Sequence, residues 1–278
     1  SLVVFCQDEN GYFSLKCHHK IDLNFGEIWS GAKIQRTRIG DKSERYFLKR
    51  ILDLNADGII DIISIKISTR KSFVNPYNEV RIHFGKKDTS NSVNSIYFNQ
   101  TPDQIIKPGG TQLVLDILDL NRDNKYDLVI PIVKVGIKNI ISMLLTKSIE
   151  IQAETFLMHE NGLYSEKPDF KTNLVVRFSF RGGATSPVYE IADFNGDAYL
   201  DILSSIEEKM LIIFWGNKKN IIDSKVGAKY NVLLPQNGEM VKAMNLNSDN
   251  KCDIIITYNE DNATYHNLTK IIRVLIAN

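Results

Sequence analysis

One nine-residue acidic pattern occurs four times along this 278-residue chain. "DLNADGIIDI" occupies 53–62, "DLNRDNKYDL" 119–128, "DFNGDAYLDI" 193–202 and "NLNSDNKCDI" 245–254. Aligned, they read D/N-x-N-x-D-x-x-x-D followed by an aliphatic residue. The starts lie 66, 74 and 52 residues apart. Self-similarity at such periods marks a repeat architecture.

The surroundings repeat as well. Each motif follows an extended apolar segment, "YFLKRIL", "TQLVLDIL", "SPVYEIA" or "EMVKAM", and leads into a β-type run, "IIDIISIKI", "DLVIPIV", "LDILSSI" or "DIIITY". A further strand comes later: "EVRIHFG" at 79–85, "TFLMHENG" at 155–162, "MLIIFWGN" at 210–217 and "IIRVLIAN" at 271–278. The opening "LVVFCQDENGYF" is a strand of that last kind, so residues 1–25 read as the back half of a repeat. The "SLVVF" start also fits the tail of a trimmed signal peptide, though it reads better as a strand. Each unit holds about four short strands and one acidic loop, the pattern of propeller blades with insertions. The expected fold is all-β: a β-propeller, or part of one, filling 1–278 as a single domain. Its units span about 1–40 (partial), 41–110, 111–185, 186–238 and 239–278 (partial). The insertion "GIKNIISMLLTKSIEI", 136–151, suits either a short helix or an irregular strand.

Three carboxylates within nine residues repel one another unless a cation sits between them. A hard divalent cation such as Ca²⁺ takes six to eight oxygen ligands. Side chains at positions 1, 3, 5 and 9 and the carbonyl of position 7 supply such a set. In the first loop these are Asp53, Asn55, Asp57, Asp61 and the Ile59 carbonyl. In the second they are Asp119, Asn121, Asp123, Asp127 and the Lys125 carbonyl. The third has Asp193, Asn195, Asp197, Asp201 and Tyr199; the fourth has Asn245, Asn247, Asp249, Asp253 and Lys251. Gly58 is expected at positive φ at the turn, with Leu54 and Ile62 anchoring the loop in the core. Asn124 takes the turn position in the second loop. Ala198 takes it in the third, with Gly196 two places earlier, which predicts a distorted backbone there. The fourth loop has two carboxylates and is expected to bind most weakly, giving about three firm Ca²⁺ sites and one weak one. An EF-hand is excluded, because position 12 is Ser64, Ile130, Ser204 or Ile256 in place of Glu and the flanks are β-like.

The motif, its repetition and the "HFG" and "FWGN" strands resemble the FG-GAP/VCBS repeats of integrin α-subunit propellers and of many secreted bacterial proteins. The resemblance covers about residues 40–278, with a half unit before it. It implies a β-propeller whose blade hairpins hold calcium. Integrin propellers have seven blades, so four motifs and a half unit mark a piece of a larger ring or a smaller one. The implied function is a calcium-stabilised, secreted, periplasmic or cell-surface module. It would bind or scaffold protein or anionic-glycan partners, as in adhesion, alone or as a subunit of a larger assembly.

No H-E-x-x-H, G-x-S-x-G or P-loop pattern occurs. His18–His19 is the one histidine cluster, and neighbours on a strand face opposite sides. The chain therefore reads as a non-enzyme. The alternative is a carbohydrate-active or lectin-like domain on the same fold, which some family members represent; the scarcity of tryptophan (Trp29 and Trp215) weighs against it. Cys6 and Cys17 flank a turn and either pair across it or stay thiols; Cys252 completes an odd count. Asn99, Asn262 and Asn267 lie in sequons.

The four loops hold 11 of the 33 acidic residues, so elsewhere 22 acids face 34 Lys and Arg. The neutral balance hides a basic exterior, and Lys86, Lys87, Lys218 and Lys219 occupy equivalent places in two repeats. Such a surface suits an acidic partner. Nucleic acid is not expected, since aromatic residues do not interleave with the basic ones. No 18-residue apolar run is present, so no transmembrane segment is expected.

Overall fold

A computed structural model describes residues 2–5, 7, 10–13, 19–21, 44–70, 76–88, 95–134, 136, 148–177, 187–218, 221–258 and 267–277. Among these the protein is all-β, with several antiparallel sheets and one 3₁₀ turn, Gly238–Met240. It divides into two compact units. One comprises 1–112, 124–126 and 158–166; the other comprises 113–123, 127–157 and 167–278.

In the first unit β1 (Leu2–Val4) and β2 (His19–Ile21) pair as a small ribbon. β3 (Glu44–Leu52), β4 (Asp61–Ser68) and β5 (Tyr77–His83) form an antiparallel meander. β6 (Lys86–Asp88) and β7 (Ser95–Tyr97) make a second ribbon, and β8 (Gln104–Ile106) returns to pair with β5. The two-residue β9 is Thr111–Gln112.

The second unit repeats the four-stranded meander twice. β10 (Asp116–Leu118), β11 (Asp127–Val133), β12 (Ser148–Phe156) and β13 (Phe170–Arg177) pair in order. So do β14 (Tyr189–Ala192), β15 (Asp201–Ile206), β16 (Met210–Asn217) and β17 (Ile221–Asn231). A three-stranded sheet follows: β18 (Val241–Met244), β19 (Asp253–Ile256) and β20 (Arg273–Leu275). Ser148–Ile151, the end of the candidate helix, is strand; 137–147 lie outside the described residues.

The register is the same in every repeat. The residue before each acidic loop pairs with position 9: Leu52 with Asp61, Leu118 with Asp127, Ala192 with Asp201, Met244 with Asp253. The next residue then pairs with the third strand: Ile62 with His83, Leu128 with Phe156, Ile202 with Phe214, Ile254 with Leu275.

β15 and β16 carry apolar residues on both faces because both faces are covered. Leu203, Leu211 and Ile213 join a core with Val241, Ile254 and Ile256 of the three-stranded sheet. Ile202, Ile212 and Phe214 join another with Val129, Ala153 and Leu174 of the preceding sheet. The three strand groups of the second unit therefore pack on one another across these two cores, and a single parallel pairing, Arg177 with Ile206, also joins β13 to β15. Their first strands are neighbours too. The Tyr189 hydroxyl of β14 donates to Asp116 of β10 at 2.8 Å, and Lys242 Nζ of β18 donates to Glu190 of β14 at 2.6 Å.

Candidate metal centre

Each acidic loop closes the hairpin between the first and second strands of a repeat, and all four share one backbone. Positions 4 and 6 are left-handed throughout: Ala56 and Gly58, Arg122 and Asn124, Gly196 and Ala198, Ser248 and Asn250, with φ from 60° to 81°. The distortion expected of the third loop is absent. Its glycine occupies position 4, and Ala198 adopts the same left-handed turn (φ 76°) that Gly58 takes in the first loop.

Side chains hold that backbone from within. Position 1 accepts from loop N–H groups: Asp53 from Asp57 and Gly58, Asp119 from Arg122 and Asp123, Asp193 from Gly196 and Ala198, Asn245 from Ser248. The position-3 Asn accepts from the N–H of position 5 at 2.9–3.3 Å and donates its amide to the same residue's carboxylate at 2.9–3.2 Å, in all four loops. The carboxylates of Asp57, Asp197 and Asp249 accept from position 7, namely Ile59, Tyr199 and Lys251.

Position 9 does something the spacing alone did not reveal. Asp61, Asp127, Asp201 and Asp253 are all fully buried. One oxygen of each accepts from position 2, Leu54, Leu120, Phe194 or Leu246, at 2.8–2.9 Å. The other oxygen of Asp61, Asp201 and Asp253 accepts from the third strand or just beyond it: Gly85 at 2.9 Å, Gly216 at 2.7 Å and Ala277 at 2.9 Å. The carboxylate thus pins loop, second strand and third strand together. Burial pushes the Asp61 and Asp201 carboxyls up to about 6; the backbone N–H groups oppose this, and the charges at positions 5 and 1 add to it. The glycine of "HFG" and "FWG" has its reason here. A Cβ on Gly85 or Gly216 would run into the carbonyl of position 8, Ile60 or Leu200.

Loop ends are anchored unequally. Leu54, Leu120 and Phe194 are buried, and Ile62 with them, whereas Leu246 in the fourth loop is 45% exposed. Neighbouring elements also touch the loops, which no residue pattern announced. The Tyr126 N–H, at position 8 of the second loop, donates to the Leu54 carbonyl at 2.9 Å. The Cys252 N–H, at position 8 of the fourth, donates to the Asp193 carbonyl at 2.7 Å. Burial raises the half-buried Cys252 thiol, and the charges of Asp193, Asp253 and Asp201 add to the effect.

The donor set in each loop is oxygen only, which suits Ca²⁺ or a similar hard cation and not a soft one. Positions 1, 3 and 5 lie at the surface or partly so, while position 9 lies beneath. Among the described residues, no three Asp, Glu, His or Cys side chains converge as a metal centre of those residues alone would require. The amide oxygen of position 3 and the carbonyl of position 7 are needed to complete any shell.

Other expected features divide. Trp215 is half-buried against the core; Trp29, His18, Cys6, Cys17, Lys219 and Asn262 lie outside the described residues. Lys86 is committed to Asp103 at 2.8 Å, and the Asn99 amide donates to the same carboxylate oxygen at 2.6 Å. A cleft of about 590 Å³ in the second unit is lined by Phe194, Tyr230, Cys252 and Val274 among others, with no carboxylate. A second, of about 360 Å³, has Glu190 and Glu239, and Glu190 is neutralised by Lys242. No helix among the described residues is long and apolar enough to cross a membrane. No family model matches the chain, and no curated protein matches it.

Proposed function

We propose that the chain is a calcium-stabilised β-propeller, or part of one, acting outside the cytosol as a binding or scaffold module for protein or glycan partners. The observation that carries this reading is the common register of four acidic hairpins and the bond from position 2 to the position-9 carboxylate that all four share. Support for blades comes from the second unit, where successive strand groups share core clusters and have their first strands adjacent.

Calcium would be held by the side chains of positions 1, 3, 5 and 9 and the carbonyl of position 7: Asp53, Asn55, Asp57, Asp61 and Ile59 in the first loop, and their counterparts in the other three. When bound, the ion neutralises carboxylates that otherwise repel one another. The chain's own part is to pre-form the turn through its two left-handed residues and to hold position 9 in place from below. Extracellular modules of this kind bind at about 10⁻⁴–10⁻³ M, which suits a secreted or periplasmic setting.

Calorimetry with Ca²⁺ after chelation tests the reading. About three sites of similar strength and a weaker fourth are expected. No heat of binding at millimolar calcium would sink the proposal.

A further inference from the structure

The third and fourth loops both lie in the second unit and are joined by contacts that neither needs for its own turn. The Cys252 N–H of the fourth donates to the Asp193 carbonyl of the third at 2.7 Å. The Lys251 side chain lies along Gly196, with Cγ only 3.0 Å from where a Cβ on that glycine would stand.

We propose that these two loops act as a coupled pair, in which cation binding by the third sets the order and affinity of the fourth. The inference rests on the calcium reading above and adds a regulation to it. Its core is the geometry of one peptide group. The Lys251 C=O and the Cys252 N–H share a plane and point opposite ways across a trans bond. Directing that N–H at Asp193 therefore fixes where the Lys251 carbonyl, the position-7 donor of the fourth loop, points. Asp193 is position 1 of the third loop, and its side chain already accepts from Gly196 and Ala198 at 2.7 Å each. A cation that steadies Asp193 steadies the acceptor on which the fourth loop's carbonyl depends.

The fourth loop is the one that needs such help. It has two carboxylates. Its positions 1 to 6 are all exposed, and its position-2 anchor Leu246 is unburied. A glycine at position 4 of the third loop leaves room for Lys251; the equivalent residues are Ala56, Arg122 and Ser248. A related contact is made by Tyr126, also at position 8, whose N–H donates to the carbonyl of Leu54, position 2 of the first loop and one place along from the equivalent of Asp193.

Amide hydrogen exchange on the full chain tests this, read separately at 53–61, 193–201 and 245–257 through a calcium titration. Asp197→Ala removes a carboxylate whose hydrogen bonds stay within the third loop. The calcium midpoint for protection of 245–257 is expected to rise about fivefold or more, with 53–61 unmoved. Asp197→Asn, which keeps the side chain's shape and removes its charge, should raise the same midpoint in the same direction; this variant decides the matter if Asp197→Ala does not fold. Lost protection at 193–201 with an unchanged midpoint at 245–257 overturns the coupling and leaves the calcium reading standing. So does calcium-dependent protection at 193–201 with none at 245–257 in the unaltered chain. Absence of calcium-dependent protection at every loop overturns both.

Discussion

Replacing Asp201 separates the two roles that position 9 carries. Its carboxylate is fully buried, and its oxygens accept from Phe194 at 2.8 Å and Gly216 at 2.7 Å. Asp201→Ala strands two backbone donors, at ~1–3 kcal/mol each. Against this, the carboxyl sits at about 6 in place of 3.8, so relief of its burial returns at most ~3 kcal/mol. With the two donors together at ~2–6 kcal/mol, about 4 at mid-range, the net expectation without calcium is a loss of at least ~1 kcal/mol. Asp201→Asn keeps one acceptor and should lie between Ala and the unaltered chain. Asp197→Ala, at the exposed position 5 of the same loop, should cost under ~1 kcal/mol in chelator. Urea unfolding in EDTA and in saturating calcium measures all three. In EDTA Asp201→Ala should lower the midpoint more than Asp197→Ala; in calcium Asp197→Ala should lower it further. If Asp201→Ala is no less stable than Asp197→Ala in EDTA, the buried carboxylate is not a structural pin and the reasoning fails.

Gly216→Ala and Gly85→Ala should each lower the urea midpoint, by ~2 kcal/mol or more, because a Cβ at either position meets a backbone carbonyl that cannot move aside. Ala198→Gly should stabilise by ~0.5–1 kcal/mol, since it relieves a left-handed alanine (φ 76°) while adding freedom to the unfolded chain; an unchanged midpoint would deny strain at that turn. Asp61 and Asp201 are both raised from 3.8 to about 6, so their stabilising contribution is full below 3.8 and lost as pH climbs through 6. In EDTA these groups should make unfolding easier between pH 4 and 6. Calcium, which needs the ionised form, should bind more tightly over the same interval, and a titration showing neither trend would refute the assignment.

The acidic loops were legible in the sequence because nearly everything that shapes them lies within nine residues. Asp53, Asn55 and Asp57 fold their own turn by bonding N–H groups two to five residues away, and such local bonds follow from spacing alone. Strand-rich flanks and the expected left-handed Gly58 were readable for the same reason. The third loop shows the limit of residue-by-residue reading: Ala198 takes the left-handed turn because the side-chain net around it over-determines the backbone. What only the tertiary structure decided depends on register and on distant chain. Asp61 and Gly85 are 24 residues apart and Asp201 and Gly216 are 15, and they meet because Ile62 pairs with His83 and Ile202 with Phe214. Lys86 reads as a free surface charge until Asp103 is folded beside it. The contact of Cys252 with Asp193 crosses from one sheet's hairpin to the next, and a backbone N–H meeting a backbone carbonyl leaves no mark on residue identity.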